Sequence, residues 1–180
     1  KQFPRVDEVD ISRRGLTSLT LNIIEREPVA LACAGECFFA DQAGYIFAVA
    51  PKFSSLVYLR WEPAASSTLH LGQSIATTSV FFAINNMARY LEQVFTHRGF
   101  TKIKAHSIKS LTAGDYQIIF EEIDGAKTIP ILVAYDNVST TTARNFDLAL
   151  GKILGTSTPI KLPHFQYIDL RFGNKVFYKL

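Results

Sequence analysis

The sequence predicts an α+β fold in which mostly antiparallel strands carry two packed helices. Three observations predict it. Short runs of alternating apolar residues, separated by turn residues, recur along most of the chain. Only two segments place apolar residues at helical spacing. The low charged fraction of 19% and a mean hydropathy of +0.12 lean towards a strand-rich chain. With 180 residues there is room for one sizeable domain, or a small module joined to a larger one. A hydrophobic content of 48% excludes a disordered tail and a collagen-like or coiled-coil rod.

The elements follow in order. Val6, Val9 and Ile11 sit among charged residues and end at a turn through Arg13, Arg14 and Gly15. Leu19, Leu21 and Ile23 then alternate with Thr20, Asn22 and Ile24, a half-buried strand that Pro28 closes. Apolar runs at 29–32 and 38–40 read as a hairpin about Gly35, and Asp41 to Gly44 turn into another strand at Tyr45, Ile46 and Phe47. Residues 56–61 form a weaker strand pattern, followed by loop composition at 63–67. A first helix is predicted over 80–98, with Ser79 as N-cap, a stripe of Ile84, Met87, Leu91, Val94 and Phe95, and Gly99 as terminator.

Strands return at 102–108, 116–123 and 128–135, the last two joined by an Asp124-Gly125 hairpin. Pro130 places the third on an edge or at a bulge. A second helix is predicted over 140–154, capped by Ser139, buried through Ala143, Phe146 and Leu150, and ended by Gly155. Strand patterns at 166–172 and 175–179 flank Gly173 and Asn174. The change from short helix-free hairpins to longer strands with helices places a boundary near residue 48, giving units 1–48 and 49–180.

Chemistry leaves few marks. Nineteen Lys and Arg against 16 Asp and Glu give +3, too mild and too scattered to argue for nucleic acid. No window approaches the ~18 consecutive apolar residues of a spanning helix, and no signal peptide opens the chain. The start at Lys1, without a Met, suggests a piece of something longer. His70, His97, His106 and His164 share no metal-binding spacing, and His97 suits a helix C-terminus. Gly72 to Ala76 resembles a nucleophile elbow but lacks the final glycine. Glu121 and Glu122 point to opposite faces of a strand, and Glu25 and Glu27 sit on a strand end as a solvated rim. No Gly-rich loop opens a helix for phosphate, so no cofactor is expected and an enzyme is the poorer hypothesis. Cys33 and Cys37 flank the Gly35 turn, which leaves three alternatives: a disulfide, two reduced core cysteines, or a metal site short of ligands. A disulfide would imply an oxidising compartment.

Several stretches together resemble a known family. Phe3, Pro4, Arg5 and Val6, then Val9 to Arg14, Leu19 to Ile24 and the run Glu25-Arg26-Glu27-Pro28-Val29-Ala30 resemble the second half of a POTRA module. The version they match is that of the bacterial cell-division proteins FtsQ and DivIB, with its "FPxVxxVxVxR" and "EREPVA" runs. Asp41 to Phe47 resemble that family's "VDxxGxxF" link, and Tyr167 to Phe172, with Lys175, Val176 and Phe177, resemble its closing "YIDLRF…V" strands. The turn at 14–18 departs from the usual "LPNT", and residues 50–160 match only in outline.

The resemblance implies the end of a POTRA module followed by a β domain, lying outside the cytoplasm. It implies a bacterial inner-membrane protein anchored by a single span that is not in this chain. The expected role is a non-catalytic divisome scaffold at the septum, holding FtsB-like and FtsL-like bitopic proteins and no nucleic acid. The partner contact is then Phe172 with the closing strand Asn174, Lys175, Val176, Phe177 and Tyr178. Two rival expectations are a POTRA-bearing module of an outer-membrane assembly or secretion protein, and a periplasmic enzyme of unknown chemistry.

Overall fold

The computed structural model describes residues 3–52, 57–64, 68–112, 114–125, 127–155 and 161–180. Strands β1 (Val6–Arg14) and β2 (Ser18–Glu25) form a two-stranded antiparallel ribbon of their own. The register pairs Val9 with Ile23, Ile11 with Leu21 and Arg13 with Leu19, which puts these side chains on one face. Glu8, Asp10, Ser12, Thr20 and Ile24 fall on the other.

Arg26 ties the base of this ribbon to the rest of the molecule. Its side chain is only 10% exposed, ion-pairs with Asp7 and Asp41, donates from Nε to the Pro4 carbonyl at 3.2 Å, and lies 4.6 Å over the Tyr45 ring. A buried guanidinium needs partners of this kind, because its charge cannot be neutralised by losing a proton.

Among the described residues, all other strands join one nine-stranded sheet. These are β3 (Ala30–Ala34), β4 (Glu36–Ala40), β5 (Ile46–Val49), β6 (Leu59–Glu62), β7 (Ile103–Thr112), β8 (Asp115–Glu122), β9 (Thr128–Ala134), β10 (Tyr167–Phe172) and β11 (Lys175–Lys179). Their order across the sheet is β11-β10-β9-β8-β7-β6-β3-β4-β5. The pairs β3–β6, β6–β7 and β9–β10 are parallel, and the others are antiparallel. The fold is therefore α+β with a large, mostly antiparallel sheet. The sheet continues across residue 48: β6 lies between β3 and β7, so β3, β4 and β5 share it with the later strands.

Helices α1 (Thr78–His97) and α2 (Thr140–Leu154) pack against each other, α1 against β7 and α2 against β11. The core beneath them holds Trp61, Phe81, Phe95, Phe120, Phe146 and Phe165, all nearly inaccessible. Phe95 meets Phe120 and Phe146 with ring centroids 5.3 and 5.4 Å apart, and the Trp61 indole donates to Asn85 at 3.1 Å. Ser139 caps α2 as expected, its hydroxyl accepting from the Thr142 amide at 3.2 Å.

Two local expectations are corrected. The N-cap of α1 is Thr77 rather than Ser79, because the helix already begins at Thr78, and Thr77 makes no side-chain cap bond. Pro130 lies on an interior strand, β9, rather than on an edge. Pairing with β10 starts only at Ile131, so the missing N–H falls outside that ladder.

Candidate functional site

The closing hairpin presents the most distinctive surface of the sheet. Phe172 pairs with Lys175 across the two-residue turn Gly173-Asn174. Gly173 has φ +62, while Asn174 stays out of the left-handed region. That combination matches a II′ turn, whose first central position calls for glycine. β10 carries one extra residue between Asp169 and Phe172, a bulge that leaves backbone groups without ladder partners. The structure satisfies them from nearby side chains. Asp169 Oδ1 accepts from the Arg171 amide at 3.0 Å, and Asn137 Nδ2 donates to the Leu170 carbonyl at 2.7 Å.

The same carboxylate grips the Arg171 side chain. Nε donates to Oδ1 at 3.0 Å and Nη2 to Oδ2 at 2.7 Å, while Nη1 reaches Asp115 of β8 at 2.7 Å. Burial pushes the Asp169 carboxyl up, but its hydrogen bonds from Arg171 outweigh this and hold it below the usual carboxylate value. The guanidinium is raised in turn, through its hydrogen bonds to Asp169 and Asp115. The bulge and its lock set the direction of the next side chain. Phe172 is 55% exposed, with Arg171 5.6 Å over its ring and Phe177 edge-on at 5.4 Å.

Among the described residues, β11 sits at the end of the sheet and pairs only with β10. Val176 and Tyr178 turn towards the helix side, where Val176 packs against the core and Tyr178 meets Phe165 edge-on at 6.3 Å. Lys175, Phe177 and Lys179 fall on the opposite face. Tyr167, Phe172, Phe177, Tyr178 and Leu180 are all exposed large apolar side chains. On the face of Lys175 and Lys179, Phe172 and Phe177 stand in edge-on contact beside the open strand edge, which is the composition of a docking surface.

The other end of the sheet is different. The outer side of β5 is met at its first residue by the loop 72–75: Ile46 donates to the Gln73 carbonyl at 2.8 Å, Gly72 donates to the Ile46 carbonyl at 2.8 Å, and Tyr45 bridges to Ser74. The segment resembling a nucleophile elbow is thus an edge cover.

Cys33 and Cys37 are register partners across the Gly35 turn, with Cα atoms 4.2 Å apart, and are joined by a disulfide. Among the described residues, no group of three His, Cys, Asp or Glu side chains could hold a metal ion. Glu121 meets a residue that sequence spacing did not connect to it. A bulge between Ala105 and Ser107 brings His106 Nδ1 within 3.4 Å of Glu121 Oε2, beside the Lys104–Glu92 pair at 2.8 Å. A bulge in a strand leaves no local sequence signal that would have foretold this contact. Among the described residues, His106 Nδ1 has no hydrogen-bond partner. No protein-family model matches this chain, and no curated protein sequence matches it.

Proposed function

We propose that the chain is an extracytoplasmic scaffold of the bacterial division machinery, of the FtsQ/DivIB type, that binds small bitopic divisome proteins by adding a partner strand to β11. The observation that carries this reading is the unequal treatment of the two sheet edges. At β5 the loop 72–75 takes up both backbone groups of Ile46, whereas β11, among the described residues, has no strand on its outer side and is flanked by Phe172 and Phe177. The β1–β2 ribbon serves as the end of a POTRA module, and the nine-stranded sheet forms the β domain. The Cys33–Cys37 disulfide agrees with an oxidising space outside the cytoplasm. Anchoring is by a single span that lies outside this chain, and the role is non-catalytic.

Strand addition is tested by Val176→Pro and Phe177→Pro. Successive N–H groups of a strand alternate between its two sides, so one of these removes an outward donor and the other an inward one. Proline at the outward position should abolish capture of an FtsB-like peptide while the circular dichroism melt changes little. Capture that survives both substitutions would exclude β11 as the partner edge.

A further inference from the structure

The Cys33–Cys37 disulfide has a cation beside it that the oxidised pair does not use. Arg60 of β6 pairs in register with Leu31 of β3, so its side chain lies on the sheet face that carries Cys33 and Cys37. Its Nη2 stands 4.0 Å from Cys37 Sγ. Among the described residues, its buried Nε has no hydrogen-bond partner and no carboxylate lies within ion-pair distance of the guanidinium. A guanidinium cannot shed its charge, so a half-buried one without an anion is costly to hold.

The two sulfurs are not equivalent. Cys33 is 5% exposed, whereas Cys37 is half-buried and lines an open groove of about 1340 Å³ together with Arg60. Sites for drug-sized molecules occupy about 300–1,000 Å³, so a thiol-bearing segment of another molecule has room to enter. The groove's other charges come in both signs: Glu92 and Glu121 are engaged by Lys104 and His106, and Glu36 and Glu122 share its wall with Lys52 and Arg89. The hairpin is held independently of the bond. Its strands pair in register from Ala30 with Ala40 to Ala34 with Glu36, and β6 and β5 pair on its two outer sides. Opening the disulfide therefore leaves the two side chains adjacent and ready to close again.

We infer that Cys33–Cys37 is an exchangeable redox pair, with Cys37 as the sulfur that meets an outside dithiol and Arg60 as the counter-ion of the Cys37 thiolate. Attack by a thiolate of the dithiol on Cys37 Sγ breaks the bond to Cys33, which leaves as a thiolate and takes up a proton. The dithiol's second sulfur then attacks its first, forming the dithiol's own disulfide and releasing Cys37 as a thiolate beside Arg60. Two electrons pass from the dithiol to the pair, and of its two protons one ends on Cys33 and the other in solution. The guanidinium gains an anion only in this reduced state, and an interaction made in one state alone shifts the equilibrium towards that state. An accessible sulfur next to a fixed cation is of the labile kind, unlike a sealed structural bridge.

The test equilibrates the 180-residue chain in mixtures of reduced and oxidised glutathione, two molecules of which stand in for one dithiol. Free thiols are trapped with a maleimide and counted by mass. The pair should open and close reversibly, and Arg60→Gln should favour the disulfide about tenfold more, the equivalent of one pKa unit in the Cys37 thiol. Arg60→Lys, which keeps the charge, should retain most of the native behaviour. Cys33→Ser isolates Cys37, whose thiolate absorbance should appear below the ordinary thiol value of about 8.5 and return towards it when Arg60→Gln is added. Cys37→Ser leaves the buried Cys33, which should react more slowly with an aromatic disulfide reagent. A pair that glutathione cannot open, an equilibrium unmoved by Arg60→Gln, a Cys37 thiol titrating at or above the ordinary value, or faster reaction at Cys33 would each overturn the inference.

Discussion

Asp169→Asn isolates the lock that shapes the closing hairpin. The carboxylate accepts three hydrogen bonds from Arg171, at 3.0, 3.0 and 2.7 Å, and its side chain is 8% exposed. Asparagine keeps the shape but offers one acceptor oxygen, and its amide turns donors towards a guanidinium that can only donate. A hydrogen bond to a charged group contributes about 1.5–3 kcal/mol. Arg171 is 29% exposed and keeps Asp115, so solvent and the remaining partner soften the loss, and about 2 kcal/mol is expected. Urea unfolding at neutral pH measures it.

The pH dependence follows from the lowered Asp169 value. A carboxyl depressed in the folded state stabilises fully above its unfolded value, near pH ~4, and that contribution is lost as pH falls through the lower folded value. The gap between wild type and Asp169→Asn should therefore close as the pH drops from about 5 towards 2. Equal stabilities at neutral pH, or a gap that persists undiminished in acid, would refute the assignment of the lock to this carboxylate.

Two further outcomes follow from the geometry. Replacing both Cys33 and Cys37 by alanine opens a ring whose ends are four residues apart, and the loop-closure entropy predicts a loss of about 2 kcal/mol, read as a lower denaturant midpoint. A reducing agent should then leave the variant's midpoint unchanged. Gly44→Ala should cost roughly 2–3 kcal/mol, because Gly44 has φ +77 and an added Cβ would lie 2.9 Å from Cγ of the buried Phe81. In a Phe81→Ala background, which removes Cγ and Cδ2 and leaves only Cβ at 3.3 Å, the added loss from Gly44→Ala in the thermal melt should shrink towards the backbone part alone.

Local pattern made both helices legible, since Ile84, Met87 and Leu91 in one and Phe146 and Leu150 in the other repeat at the helical period and are buried as that repeat requires. The hairpins were legible too, because Gly15, Gly35, Gly125 and Gly173 take the positive φ values their turns need. Strand order was not. β6 enters between β3 and β7 through parallel pairs whose members are far apart in sequence, and no short-range signal encodes that choice. The compositional change near residue 48 marks a change in local connections, from hairpins to helical crossovers, and the sheet itself runs on across it. The contact of His106 with Glu121 was hidden for the related reason that one inserted residue shifts the parity of the strand.

The edge assignment rests on an asymmetry rather than on any one side chain. Both ends of an open sheet carry the same hazard, a row of unpaired amides and carbonyls that any extended chain can extend. At β5 the chain itself reduces that hazard, through the backbone bonds of the loop 72–75 to Ile46. At β11 it is only limited, by a strand of five residues with Lys175 and Lys179 at its ends. Lysines discourage pairing with a second copy, which would bring like charges together, but they admit an acidic or neutral strand. Simple protection would also call for polar side chains beside the edge. Instead Phe172 and Phe177 stand exposed there at 55% and 48%, with the bulge and its Asp169–Arg171 lock setting where Phe172 points. A guard that leaves aromatics uncovered is a guard with an opening, and a strand carrying apolar residues on that face and no positive charge opposite the lysines is the shape of what would fill it.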